Sequence, residues 1–361
     1  MRLQEVWGMN KNNTHKLTGH RLFMPLLCLA VVLLANVLKR PDFFKITMND
    51  GVLYGYIIDV INRGSEVVIL AVGMTLVIAS SGGTDISVGA VMAVASAICC
   101  YVLAGGEVSV NAYANPYILA VLAAILIGVI CGAWNGFLVA KMKIQPMVAT
   151  LILFTAGRGI AQLITDGQIT YIRVEAYKAL GNTIKGLPLP TPFFMTLFVV
   201  LVTYILLKKT ALGMYIESVG INAKASRLVG LKSTSIIFLT YTFCGLCAGL
   251  AGLVASSRIY SADANNIGLN MELDAILAVA LGGNSLGGGK FFLMGSVIGA
   301  YTIQALTTTL YAMGVSADQI PVYKAIVVVI IVSLQSEEFR KWVGKIKSKA
   351  IATKSTGKEV A

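Results

Sequence analysis

The sequence predicts an all-α polytopic membrane protein of about ten transmembrane helices, and three observations carry that expectation. Mean hydropathy is +0.78 and only 13% of the 361 residues are charged, against about 25% in a soluble domain. Apolar blocks follow one another along the whole chain, many of them near the roughly 20 residues that a spanning helix needs. One apolar run, Ala71 to Val94, is cut by Ser80-Ser81-Gly82-Gly83-Thr84-Asp85 and resumes at once. Lipid cannot satisfy the backbone of such a break, so protein or a watery cavity has to surround it.

Taken in order, residues 1–21 form a polar, basic tail before the first block, Leu22 to Leu38. A lead of that length with no small-residue cleavage site suits a retained anchor better than a signal peptide. Between Pro41 and Arg63 the pairs Val52-Leu53, Ile57-Ile58 and Val60-Ile61 suggest an amphipathic helix at the interface, interrupted at Asn62-Arg63-Gly64. The other blocks are Val67 to Ala79, Ile86 to Ala104, Pro116 to Ala140, Met147 to Ile164, Phe193 to Leu207, Ile236 to Ala255, Leu273 to Leu281, Phe291 to Met313 and Ala325 to Leu334. The block at Leu273 to Leu281 is too short to cross alone. A membrane domain over 22–335 and a basic tail over 336–361 result.

With the N-terminus inside, alternate loops divide the Lys and Arg residues 19 inside to nine outside, and Arg158 alone lies in a block. That bias puts both termini in the cytoplasm. It also accounts for the net charge of +12 without nucleic-acid binding. Ser80 to Ser87 then turns on or toward the cytoplasmic side. Glycines at Gly128, Gly132 and Gly136, at Gly245 and Gly249, and at Gly295 and Gly299 have the spacing of close helix contacts. A faint echo between Ile69-Leu70-Ala71-Val72 and Ile276-Leu277-Ala278-Val279, each ahead of a glycine break, would fit two pseudo-repeated halves.

Several chemistries are excluded. Gly282 to Lys290 has an Asn at 284 and a Phe at 291 where a phosphate-binding loop needs Gly and Ser or Thr, so it reads as a flexible turn. Both histidines, His15 and His20, lie in the tail, and no nucleophile elbow or HExxH occurs. The cysteines Cys28, Cys99, Cys100, Cys131, Cys244 and Cys247 all sit in apolar blocks. Even the Cys244/Cys247 pair reads as helix packing.

Ionisable groups within apolar blocks face protein or water by default, and here they are Asp85, Arg158 and Asp274. Asp85 can cap a helix starting after it or contact substrate. Thr155, Arg158, Gln162 and Thr165 share one helical stripe, which can line a cavity or hold a structural ion pair. The segment Arg258 to Asp274, with Asp263, Asn265, Asn266, Asn270 and Glu272, offers hydrogen bonds suited to sugar hydroxyls or a docked protein, or is a solvated loop. In the large inside loop 208–235, apolar Ile221, Ala225, Leu228 and Val229 have helical spacing and Gly230 can end the helix. Such a short amphipathic helix can rest on lipid or enter a partner's groove.

GMTLVIASSGGTDISVGAVMA, TALGMYIESVGINAKASRLVGL and ELDAILAVALGGNSLGGGKF together resemble the permease subunits of bacterial monosaccharide ABC importers of the ribose and galactose class. KIQPMVATLILFTAGRGIAQLITDGQIT and SADANNIGLNMELDAILAV are most similar to galactofuranose importer permeases. The resemblance runs from about Val67 to Gln335. Thr84 departs from it, since many relatives have Ile before the Asp.

The resemblance implies an inner-membrane, multi-pass subunit that translocates a monosaccharide by alternating access. It implies a second permease chain, identical or homologous, an extracytoplasmic sugar-binding protein, and a cytoplasmic ATP-binding subunit that holds the ATP and Mg. The chain itself then needs no cofactor and catalyses no covalent step. Asn222, Ala225, Arg227, Leu228 and Gly230 become the coupling segment, while Asp85, Arg158, Gln162, Asn266 and Asp274 are the pathway candidates. The competing expectation is an ion-coupled secondary transporter working alone, for which Asp85 and Asp274 are the available carboxylates.

Overall fold

The computed structural model describes residues 22–335 apart from Arg40, Asp50 and Lys185. Both tails, 1–21 and 336–361, fall outside the described residues. Each apolar block becomes a helix: α1 Phe23–Lys39, α2 Tyr56–Ser81, α3 Val88–Ala104, α4 Tyr117–Ala140, α5 Pro146–Ile164 and α6 Thr191–Lys209. Two short helices then fill the large loop, α7 Leu212–Ile221 and α8 Ala223–Leu228. The chain continues through α9 Ser233–Ile259, α10 Met271–Leu281, α11 Leu293–Ala312 and α12 Ile320–Gln335.

Five of these, α2, α4, α5, α6 and α9, are long and apolar enough to cross a membrane. They differ in what surrounds them. In the apolar window of α2, 94% of residues are buried, against 28%, 28% and 22% for α4, α5 and α6. An apolar helix buried all round is a bundle core, so α2 is the axis and α4 to α6 present their outer faces to lipid. The core around α2 joins Ile69, Leu70 and Met74 to Met92 of α3, Tyr241 and Ala248 of α9, and Ala278 of α10.

The glycine spacing is used as expected. A Cβ on Gly132 would lie 2.9 Å from the Gly245 Cα, and one on Gly128 would lie 2.9 Å from the Gly249 Cα, so α4 and α9 touch backbone to backbone. Cys244 and Cys247 pack against Gly73, where a Cβ would meet the Cys244 Cα at 2.9 Å. The CxxC is therefore part of the α2–α9 contact.

Two expectations are corrected. The region 41–63 contains no interfacial helix broken at Asn62-Arg63-Gly64. It holds a short 3-10 turn, Pro41–Phe44, and a hairpin of β1 Thr47–Asn49 with β2 Val52–Tyr54, after which α2 runs unbroken through Gly64. Gly64 is a packing residue there, because a Cβ would fall 2.9 Å from the Tyr301 ring. A small sheet, missed in the sequence because its strands are so short, joins β3 Ser109–Val110 parallel to β4 Thr170–Ile172, which pairs antiparallel with β5 Ser261–Ala262.

The break after α2 is surrounded by protein, as expected: the Asp85 N–H lies 3.5 Å from the Met74 Sδ. Met74 is seven residues before the end of α2, about 10 Å of helix. The other correction concerns 282–290, which is pinned at Asn284 and Gly289 and is not a free turn. The Asn284 amide donates to the carbonyls of Val279 and Phe292 at 3.2 and 3.3 Å and to Ser296 Oγ at 2.9 Å, and its oxygen accepts from the Phe292 N–H. Thr75 of α2 donates to the same Ser296 at 2.7 Å.

Candidate translocation and coupling sites

Two segments re-enter the bundle and meet inside it. The first, 82–87, is held by Asp85, whose Oδ1 accepts from the Ser87 N–H at 2.9 Å and the Ser87 hydroxyl at 2.7 Å just ahead of α3. Asn135 of α4 donates to Ser87 Oγ at 2.8 Å and lies 3.4 Å from both Asp85 oxygens. The Ile86 N–H donates to Thr150 of α5 at 3.2 Å. Asp85 is 1% exposed, so in this conformation its carboxylate faces protein on all sides.

The second is the loop between β5 and α10. Asp263 organises its turn by accepting from the N–H groups of Asn265 and Asn266 and from the Asn266 amide at 2.7 Å. Arg158 of α5 then grips it from the side. Its Nη1 donates to the carbonyls of Ala264, Asn265 and Ile267 at 2.9, 3.2 and 2.6 Å. Gln162, one turn further on, donates to Asn265 Oδ1 at 2.6 Å. The Thr155–Thr165 stripe thus becomes a clamp, and the carboxylates that act on the Arg158 charge are Glu272 and Asp263.

At the meeting point Gly89 of α3 lies against Gly268, and a side chain on Gly89 would strike the Gly268 carbonyl and the Glu272 carboxylate. Glu272 is 4% exposed and one of its oxygens has no hydrogen-bond partner among the described residues. Asp274, one of the pathway candidates, follows Glu272 by two residues in α10. It pairs with Lys324 of α12 at 2.8 Å. A second ion pair, Arg258–Glu66 at 2.8 Å, ties α9 to α2, and Arg258 also donates to the Asn62 carbonyl and amide oxygen and to the Gly181 carbonyl. Beside it a 3-10 turn, Glu175–Leu180, buries Tyr177 with its hydroxyl 2.7 Å from Ser256 Oγ. Burial pushes that phenol well above its ordinary value.

The structure therefore brings Asp85, Arg158, Gln162 and Asn266 to two facing re-entrant segments and leaves Asp274 outside them. Asn135, Thr150 and Glu272 belong to the same region. Asn135 was visible as a lone amide between Gly132 and Gly136, whereas Glu272 was hidden among the other polar groups of its loop.

The coupling candidates lie at the end of the bundle that holds the two glycine breaks. There Gly289 donates its N–H to the Ala79 carbonyl at 2.9 Å, and Gly220 of α7 packs against both. Asn222 ends α7 and caps α8, accepting from the N–H groups of Lys224 and Ala225 at 3.0 Å each. Gly230, at φ 87°, takes the left-handed conformation that terminates the helix and donates to the Arg227 carbonyl. The result is a single-turn knob whose Leu228 and Val229 are 90% and 77% exposed.

A buried axial helix, two interrupted segments that meet at Gly89 and Gly268, and a projecting loop helix make a membrane bundle, and its class is that of a permease. The family described as branched-chain amino acid transport system / permease component matches residues 56–334, and the chain belongs to it. Among its relatives, the galactofuranose transporter permease protein YtfT of Escherichia coli K12 is 45% identical over 324 residues, 90% of this chain and 92% of that protein. The fructose import permease protein FruF of Bifidobacterium longum is 36% identical over 97% of both chains. The ribose import permease protein RbsC of E. coli K12 is 34% identical over 90% of this chain and 99% of its own.

Proposed function

We propose that this chain is the membrane subunit of an ATP-driven, binding-protein-dependent monosaccharide importer of the bacterial inner membrane, with both termini in the cytoplasm. The carrying observation is α8, a capped knob whose aliphatic side chains Leu228 and Val229 stand almost free of their own protein. A docked partner is the physical use for exposed apolar groups on a rigid helix. The partner in this reading is a cytoplasmic ATP-binding subunit, with ATP and Mg bound there and hydrolysis carried out there.

Sugar passes between this chain and a second permease, identical or homologous, after delivery by an extracytoplasmic binding protein. Arg158 and Gln162 set the shape of the passage by holding 263–267, and Asn266 stabilises the same loop. Asp85 acts by fixing the start of α3, and Asp274 by joining α10 to α12. The sugars for which the relatives are named make galactofuranose the first to test, with ribose and fructose as competitors.

The test is uptake of labelled sugar into proteoliposomes holding the chain with its ATP-binding and sugar-binding partners. Uptake that requires ATP and both partners is expected. Uptake by this chain alone, driven by an ion gradient, would replace the proposal with a secondary transporter.

A further inference from the structure

A groove of about 640 Å³ opens between the start of α1, the end of α6, α7 and the start of α11. That volume lies within the range of small-molecule sites, about 300–1,000 Å³. Its walls are chiefly apolar, with Leu26, Leu207, Met214, Phe292 and Met294 among them. One wall belongs to α6, a helix whose outer face is turned to lipid.

Two charged residues share this groove, Lys208 at the end of α6 and Glu217 on α7. They make no ion pair with each other, and the ion pairs among the described residues are Arg258–Glu66 and Lys324–Asp274. An acid and a base that line one apolar cleft from two different helices without pairing fit a ligand that carries both charges and an apolar body.

We propose that this groove is a binding site for phosphatidylethanolamine. Its acyl chain would lie along the apolar walls, where burial of each CH₂ is favourable. Lys208 would donate to the phosphate, as a lysine does when it snorkels toward headgroups. The primary ammonium of the lipid would donate to Glu217. Phosphatidylcholine has no N–H to donate, and phosphatidylglycerol brings no cation for Glu217, so the pair selects one headgroup. Under the importer reading a lipid held at Glu217 also steadies α7, which runs through Asn222 directly into α8.

Lipid binding is read by native mass spectrometry of the full-length protein, adding phosphatidylethanolamine, phosphatidylcholine or phosphatidylglycerol of identical acyl chains. The expected result is an affinity for phosphatidylethanolamine about tenfold above the other two, the equivalent of about 1.4 kcal/mol. Lys208→Ala and Glu217→Gln should each abolish the preference while leaving the melting temperature unchanged. Equal binding of the three lipids, a preference for phosphatidylglycerol, or a preference that survives both substitutions overturns the proposal. So does selective binding that emerges only after deletion of residues 1–21, which would make that tail the natural occupant. If either variant fails to fold, the wild-type comparison of the three headgroups still decides. None of these readings depends on sugar transport, so the site stands or falls apart from the importer.

Discussion

Gly89 at the start of α3 and Gly268 in the loop before α10 lie backbone to backbone, each filling the space that the other's side chain would need. Two interrupted membrane segments therefore meet where neither has a side chain. Overpacking a site of this kind costs about 1–3 kcal/mol, so Gly89→Ala should lower the melting temperature in detergent, and Gly89→Val should lower it further. A melting curve for Gly89→Val that overlays the wild type would show that the contact yields freely.

Arg158→Ala removes three hydrogen bonds to the carbonyls of Ala264, Asn265 and Ile267. Hydrogen bonds from a charged donor contribute about 1.5–3 kcal/mol each, so the loop should loosen without the whole chain unfolding. Thiol labelling of an Asn265→Cys reporter should be faster in the Arg158→Ala background, and sugar uptake should fall. Unaltered labelling would mean that the loop holds its place without the guanidinium.

At α8 stability and assembly should separate. Leu228 is almost fully exposed, and exposed substitutions usually change stability by no more than about 0.5 kcal/mol. Leu228→Glu and Arg227→Glu are thus expected to leave the melting temperature unchanged but to abolish co-purification of the ATP-binding subunit. Asn222→Ala and Ala225→Pro act on the helix itself, the former by the loss of a cap, about 1 kcal/mol. Normal recovery of the complex with all four variants would remove α8 from the interface.

Asp274 and Lys324 form a partly buried pair, with side chains 18% and 15% exposed. Breaking such a pair leaves one charge unsatisfied, so Asp274→Ala and Lys324→Ala should each impair stability. The reversed pair, Asp274→Lys with Lys324→Asp, should recover much of the loss. Additive damage in a double-mutant cycle would mean that the two side chains do not interact in the membrane.

Much of the architecture was legible because long apolar blocks and glycine spacing act locally. Gly128 and Gly132 pointed to a close helix contact, and the apolar spacing of 221–229 with Gly230 after it marked a short helix. What stayed hidden depends on distant partners. Gly64 looked like an interruption because nothing in the sequence brings the Tyr301 ring to it. The polar run from Asp263 offered groups for a sugar, a docked protein or solvent, and nothing in it told that the carbonyls of Ala264, Asn265 and Ile267 are claimed by Arg158, more than a hundred residues earlier. The pairing of Asp274 with Lys324 of α12, fifty residues later, was equally out of reach.

The contact between Gly289 and Ala79 has a mechanical meaning as well. Gly220 of α7 bears on both residues, so α7 reaches the elbow after α2 and the elbow after α10 through a single point. A displacement of α7 would therefore bear on both elbows at once, through the backbone contacts of Gly220 with Ala79 and Gly289.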